Sequence, residues 1–170
     1  MRRLKSGNER GAALVEAAIV LPLIIVILIG TVEFGLSLAD LISVRQGTRD
    51  ATRNAVVNNY GSDTVCGIVG TVTNDETKKI ICGAKNEIDR TEARVRIKVG
   101  FPDGGKTPPP DDNSLLVCAE FRHRSPTGMF GFLLNDRIST TRVSMRVEQD
   151  LSAVDAGEET SLSGSWAWCS

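Results

Sequence analysis

The stretch RGAALVEAAIVLPLIIVILIGTVEFG, residues 10–35, decides the reading of this chain of 170 residues. Within it, residues 12–32 hold 17 hydrophobic side chains and a single charge, Glu16. As a helix these 21 residues rise about 31 Å at ~1.5 Å each, which matches a hydrocarbon core of ~30 Å. The segment can therefore span a bilayer, as a membrane helix whose marked positions are Ala17, Pro22, Gly30 and Glu33. Ahead of it, Arg2, Arg3, Lys5 and Arg10 against Glu9 give a local charge of +3, whereas Asp150, Asp155, Glu158 and Glu159 leave the last 21 residues at −4. The positive-inside rule then predicts a single-pass plasma-membrane protein with a cytoplasmic N-terminus and an exported C-terminal domain. A cleaved signal peptide is the competing reading, with Ser37-Leu38-Ala39 as its small-x-small site. An apolar run well beyond ~7 to 15 residues, followed by polar Glu33 ahead of that site, argues against it.

Glu16 is the physical anomaly. An ionised carboxylate costs on the order of 2.5 to 3.5 kcal/mol at the centre of a bilayer, and less near its edge, so it calls for a partner. Cleavage after Gly11 would create one, because the new α-amine on Ala12 lies about one turn from Glu16 and can also reach that carboxylate on a neighbouring copy. The plainer alternative places Glu16 at headgroup level beside Arg10. Residue types alone leave the two readings equal.

A glycine followed five residues later by glutamate, after a short basic leader and opening an apolar helix, resembles the processing site of type IV prepilins. The fuller string over residues 10–35, with Pro22, Glu33 and the closing Glu33-Phe34-Gly35, resembles the TadE family of tight-adherence pilus proteins. This resemblance implies a pseudopilin or minor pilin that acts in assembly of a Flp-type pilus and in surface adhesion. It further implies trimming by a prepilin peptidase at Gly11, Ala12 and Glu16. The implied partners are that peptidase, other Tad pilins and pseudopilins, an inner-membrane assembly platform and the lipid bilayer, with a place in the membrane or in the pilus. Ala12 departs from the phenylalanine usual in type IV pilins. A membrane-anchored extracellular adhesin or secretion accessory that never enters a fibre is the alternative function.

Beyond the span, residues 34–58 keep helical character, with Leu38, Leu41 and Ile42 on one stripe and Arg45, Arg49 and Arg53 on another. Gly47, Ala51 and Ala55 form a small-residue strip that allows a sheet or another helix to approach closely, helix on sheet being the favoured reading. Asn74 offers a cap for a short helix through Ala84. Residues 93–99 and 141–147 alternate as strands, and residues 115–122 form a strand-like run. The predicted fold is α+β and pilin-like, with one long N-terminal helix on an antiparallel sheet of about three strands. The predicted divisions are a leader (1–11), a membrane helix (12–32), its extension (33–59), an exported head (60–150) and an acidic tail (151–170). In the connector 125–132, Phe130 and Phe132 are read as anchors that fold it onto the head.

Cys66, Cys82, Cys118 and Cys169 all fall on the exported side, an even count that reads as two disulfides. Of three connectivities, Cys66 with Cys82 and Cys118 with Cys169 is the most local. The spacings lack a chelating pair for zinc, and Asp111 and Asp112 lack the graded oxygen spacing of a calcium loop. A net charge of −1 and few aromatics argue against nucleic acid. His123, between Arg122 and Arg124, reads as an exposed strand residue. No catalytic string occurs and no cofactor is expected, so the chain reads as a non-enzyme.

Overall fold

The computed structural model describes residues 9–59, 61–62, 64–88, 94–109, 113–147 and 152–169. Arg2, Arg3 and Lys5 of the leader, together with Ala93, Asp111, Asp112 and Asp150, lie outside the described residues. Helix α1 (Glu9–Val56) runs unbroken for 48 residues through Pro22, about 72 Å at ~1.5 Å per residue. It is long and apolar enough to cross a membrane, and the head buries none of its most apolar stretch. The helix stops where Asn58 turns left-handed at φ 55°. The Asn59 amide then reaches Asn54 O at 2.8 Å and the Asn58 amide reaches Ala55 O at 3.1 Å, a Schellman closure that satisfies the final carbonyls.

The second helix, α2 (Asp75–Ile88), begins where Asn74 Oδ1 accepts the Thr77 amide at 3.0 Å, and it continues one turn past the expected end at Ala84. Strands β1 (Val95–Gly100), β2 (Ser114–Arg122), β3 (Ile138–Arg146) and β4 (Gly157–Glu158) form one antiparallel sheet in the order β3-β2-β1-β4, with a short helix α3 (Gly131–Leu134) before β3. The class is α+β as expected, but the sheet has four strands rather than about three. The addition comes from the acidic C-terminal segment, whose Glu158 pairs with Lys98. Gly157 and Glu158 of that segment thus form an edge of the head's sheet.

The helices cover one face of the sheet. Val95, Ile97 and Val99 of β1 pair with Phe121, Ala119 and Val117 of β2, and all six are buried against Val44, Ala51 and Ala55 of α1 and Ile80, Ile81 and Ile88 of α2. The small-residue strip is what lets α2 approach. A Cβ on Gly47 would sit 2.7 Å from Ile88 Cγ1 and 2.9 Å from Ile88 Cα. Thr48 and Thr52, buried in the same contact, return their hydroxyls to Val44 O and Thr48 O at 2.7 and 2.6 Å, so no polar group is stranded there. Of the stripe of Leu38, Leu41 and Ile42, Leu41 is half-buried and the other two are exposed, while the packed face of α1 runs through Val44, Thr48 and Ala55.

The other sheet face carries Leu116 and Cys118, covered by Trp166, Trp168 and Cys169. Cys118 is bonded to Cys169, and Cys66 to Cys82, the more local of the three pairings. The tryptophans cover the middle of β2. That is why β2 is buried on both faces and reads as an apolar run, whereas edge strand β3 alternates.

Candidate functional site

The apolar part of α1, which carries Gly11, Ala12 and Glu16, is bare. Residues 11–28 are exposed along their whole length, Glu16 among them, and a Cβ on Gly11 would meet nothing within 4 Å. Ala12, Val15, Glu16 and Ile19 lie together on this bare surface with Gly11. Ala17 and Pro22 face outward as well.

Burial begins at the far end of the apolar stretch. Gly30 is buried under the Phe130 ring, whose carbons would lie 3.2 Å from a Cβ there, and Phe34 meets the same ring at 6.0 Å between centroids. One turn on, Glu33 is fully buried. Its carboxylate accepts the Ser125 hydroxyl on both oxygens at 3.0 and 2.9 Å, the amides of Thr127 and Phe130 at 3.2 and 3.3 Å, and the Thr127 hydroxyl. A buried carboxylate without a cation is tolerable when donors surround it, and here one short turn supplies all of them. Ser125 and Thr127 serve twice, since their hydroxyls also accept the amides of Gly128 and Met129. Glu33 thus marks where the head takes hold of the helix. The sequence singled out Glu33 but not its partners, although a Ser-Pro-Thr-Gly turn offers the right hydroxyls and amides. Phe130 anchors the connector as expected, onto α1; Phe132 does not, and stands exposed.

Another turn along, His123 is buried rather than exposed. Its Nδ1 bonds Ser37 Oγ at 3.0 Å, its Nε2 bonds Ser139 Oγ at 2.7 Å, and Phe121 stands edge-on at 4.9 Å. The imidazole therefore ties α1 to β3. Burial holds its pKa below the ordinary 6.5, against a smaller upward pull from Asp40. The folded protein thus resists a proton that the unfolded chain takes up below pH 6.5, so stability is full above that value and declines as pH falls past it. We expect urea midpoints of the full chain in detergent to drop between pH 7 and 5, and His123→Gln to flatten that slope. An unchanged slope in the variant would assign the pH dependence to another group.

Two further carboxylates hold the C-terminal segment. Glu159 is buried with Lys85 at 2.6 Å, and it also accepts the amides of Val69 and Ile97 at 2.9 and 2.8 Å. Glu120, buried on the outer sheet face, accepts Ser161, Ser163, the Leu162 amide and Trp168 Nε1. Burial pushes the Glu120 carboxyl upward, but the donors from Ser163, Trp168, Leu162 and Ser161 outweigh it and hold the pKa below 4.5. A cleft of about 350 Å³ lies between Lys98, Lys106, Phe101 and Glu158, where the Lys98–Glu158 pair at 3.0 Å closes one side. Among the described residues, no three His, Cys, Asp or Glu side chains gather as a metal site would require.

The motif-bearing helix has a counterpart among known families. Residues 11–53 match the family model described as TadE-like protein, which covers the exposed apolar stretch, Glu33 and the packed strip through Ala51. No curated protein and no solved structure matches the chain.

Proposed function

We propose, from the premise that residues 11–53 are TadE-like, that this chain is a pseudopilin or minor pilin acting in assembly of a tight-adherence, Flp-type pilus and in adhesion. The observation that carries the reading is the coincidence of that match with one long helix whose apolar half is bare and whose other half is bound into a disulfide-stabilised head. The bare half serves first as a membrane anchor and then as the surface that packs with other pilins. The head stays on the exported side of the plasma membrane. Prepilin peptidase, other Tad pilins and an inner-membrane platform are the partners, and no catalytic step is assigned to the chain itself.

In this reading the peptidase cuts between Gly11 and Ala12, and the Ala12 amine answers a neighbour's Glu16. Because Gly11 touches nothing, Gly11→Val tests processing without disturbing the fold. Intact mass of the membrane-extracted protein should show a start at Ala12, and the variant should retain its leader. Glu16→Gln should insert normally yet crosslink less to other pilins. A mature start at Asp40 would establish signal-peptide cleavage, and an uncleaved Met1 would leave only an anchored protein outside the fibre.

A further inference from the structure

One feature of the head serves none of the roles above. Phe132 is 81% exposed, with Met129 at 47% and Leu133 at 42% beside it, so three large apolar side chains stand clear of the core within five residues. Met129 belongs to the turn that Glu33 grips, and Phe132 and Leu133 to α3 directly after it. Phe130 of that turn is pressed on Gly30, in the last turn of the apolar stretch 12–32, and on Phe34 just beyond it, which fixes the depth of the turn relative to the helix. Phe34, itself exposed, meets the Phe130 ring at 6.0 Å, and Phe130 stacks on Phe132 at 6.4 Å, so the apolar side chains of α1 and of the connector form one row.

Charge changes sign of purpose along the same axis. His123 is bonded to Ser37, seven residues beyond Gly30, or about 10 Å further along the helix at ~1.5 Å per residue. Exposed Arg122 and Arg124 flank it, and Arg94 lines the same hollow, which holds three arginines against one carboxylate, Asp136, 4.0 Å from Arg122. Exposed Arg137 holds Leu133 O at 3.3 Å. Apolar tips beside the end of the span, with guanidinium groups next to them and further along the helix, repeat the order of a bilayer from acyl boundary to phosphate.

The geometry points to a second membrane contact: residues 129–133 dip into the bilayer interface on the head side, with Phe132, Met129 and Leu133 at the acyl boundary and Arg122, Arg124 and Arg137 at the lipid phosphates. The occupant is the phospholipid surface, because the turn is continuous with the lipid-facing helix and held at its exit. This inference rests on the reading that residues 12–32 span the membrane. Its effect is to fix the head's orientation by two points rather than one, so that entry into a fibre must lift the turn out of lipid.

The test places benzoylphenylalanine separately at Phe132, at Ile24 in the middle of the apolar stretch, and at Val65, which is exposed beyond the far end of α1. The full-length protein is reconstituted in vesicles of phosphatidylcholine and phosphatidylglycerol, irradiated, and analysed by mass. Phospholipid adducts at positions 132 and 24, with none at 65, are expected. Lipid adducts at 24 with only protein crosslinks, or none, at 132 would overturn the second contact and leave the span intact. Absence of lipid adducts at both 24 and 132 would remove the span and the contact together.

Discussion

Replacing Lys85 by Met should destabilise the protein by about 3–5 kcal/mol, the usual cost of leaving a buried charge without its partner. Glu159 would remain in the core with the Val69 and Ile97 amides as donors but with no cation, and Lys85 would no longer tie down Gly67 O at 2.9 Å. The loss should appear as a lower urea midpoint of the full chain in detergent, followed by the fluorescence of Trp166, whose indole donates to Glu159 O at 2.8 Å. Combining Lys85→Met with Glu159→Gln should recover part of the loss, because the stranded charge is gone, although the single amide oxygen can accept only one of the Val69 and Ile97 amides. A single variant within 1 kcal/mol of wild type would show the pair to be solvated, at odds with its burial.

Removing the Cys118–Cys169 bridge by a double change to Ala should cost about 4 kcal/mol, from the loop-closure entropy of a 51-residue separation. The consequence should spread beyond entropy. Trp168, Ser161, Leu162 and Ser163, which surround Glu120, all lie on the segment that the bridge pins. Since Glu120 is held below its ordinary pKa, the folded state gains stability above pH 4.5 and loses it as pH falls through the folded value. With the segment loosened, that acid dependence should shrink and residues 160–169 should become cleavable by protease. If stability falls but the segment remains protected, the Glu120 donors alone suffice to hold it.

The parts legible in the sequence were those with a period or a local chemical signature. Residues 12–32 announce themselves by length and apolarity, Asn74 by capping chemistry, and β1 by strict alternation. Strand β4 escaped because two residues, Gly157 and Glu158, carry no alternation, and because the acidic side chains around them suggest solvent rather than a sheet edge. His123 was misread for a related reason: its neighbours Arg122 and Arg124 point outward, so its own inward place is visible only once Ser37 and Ser139 are brought to it. Glu33, Glu120 and Glu159 share that limit. Each meets donors or a cation more than 40 residues away in sequence, and such matches leave no periodic trace. Glu33 was picked out through the family string, which supplied its place but not its donors.

The order in which the head is assembled follows from where its closing pieces lie. Residues 157–169 contribute the edge strand, the counter-charge for Lys85, the indoles over β2 and the second half of a bridge. A ribosome makes all of these after the helices and the first three strands. Until they emerge, Lys85 has no carboxylate, and Leu116 and Cys118 lie bare on the outer face. The newborn chain, tethered by α1, therefore waits in an open form that is sticky on one side, so a chaperone that shields the outer face of β2 during this interval would protect the nascent protein where it is most vulnerable.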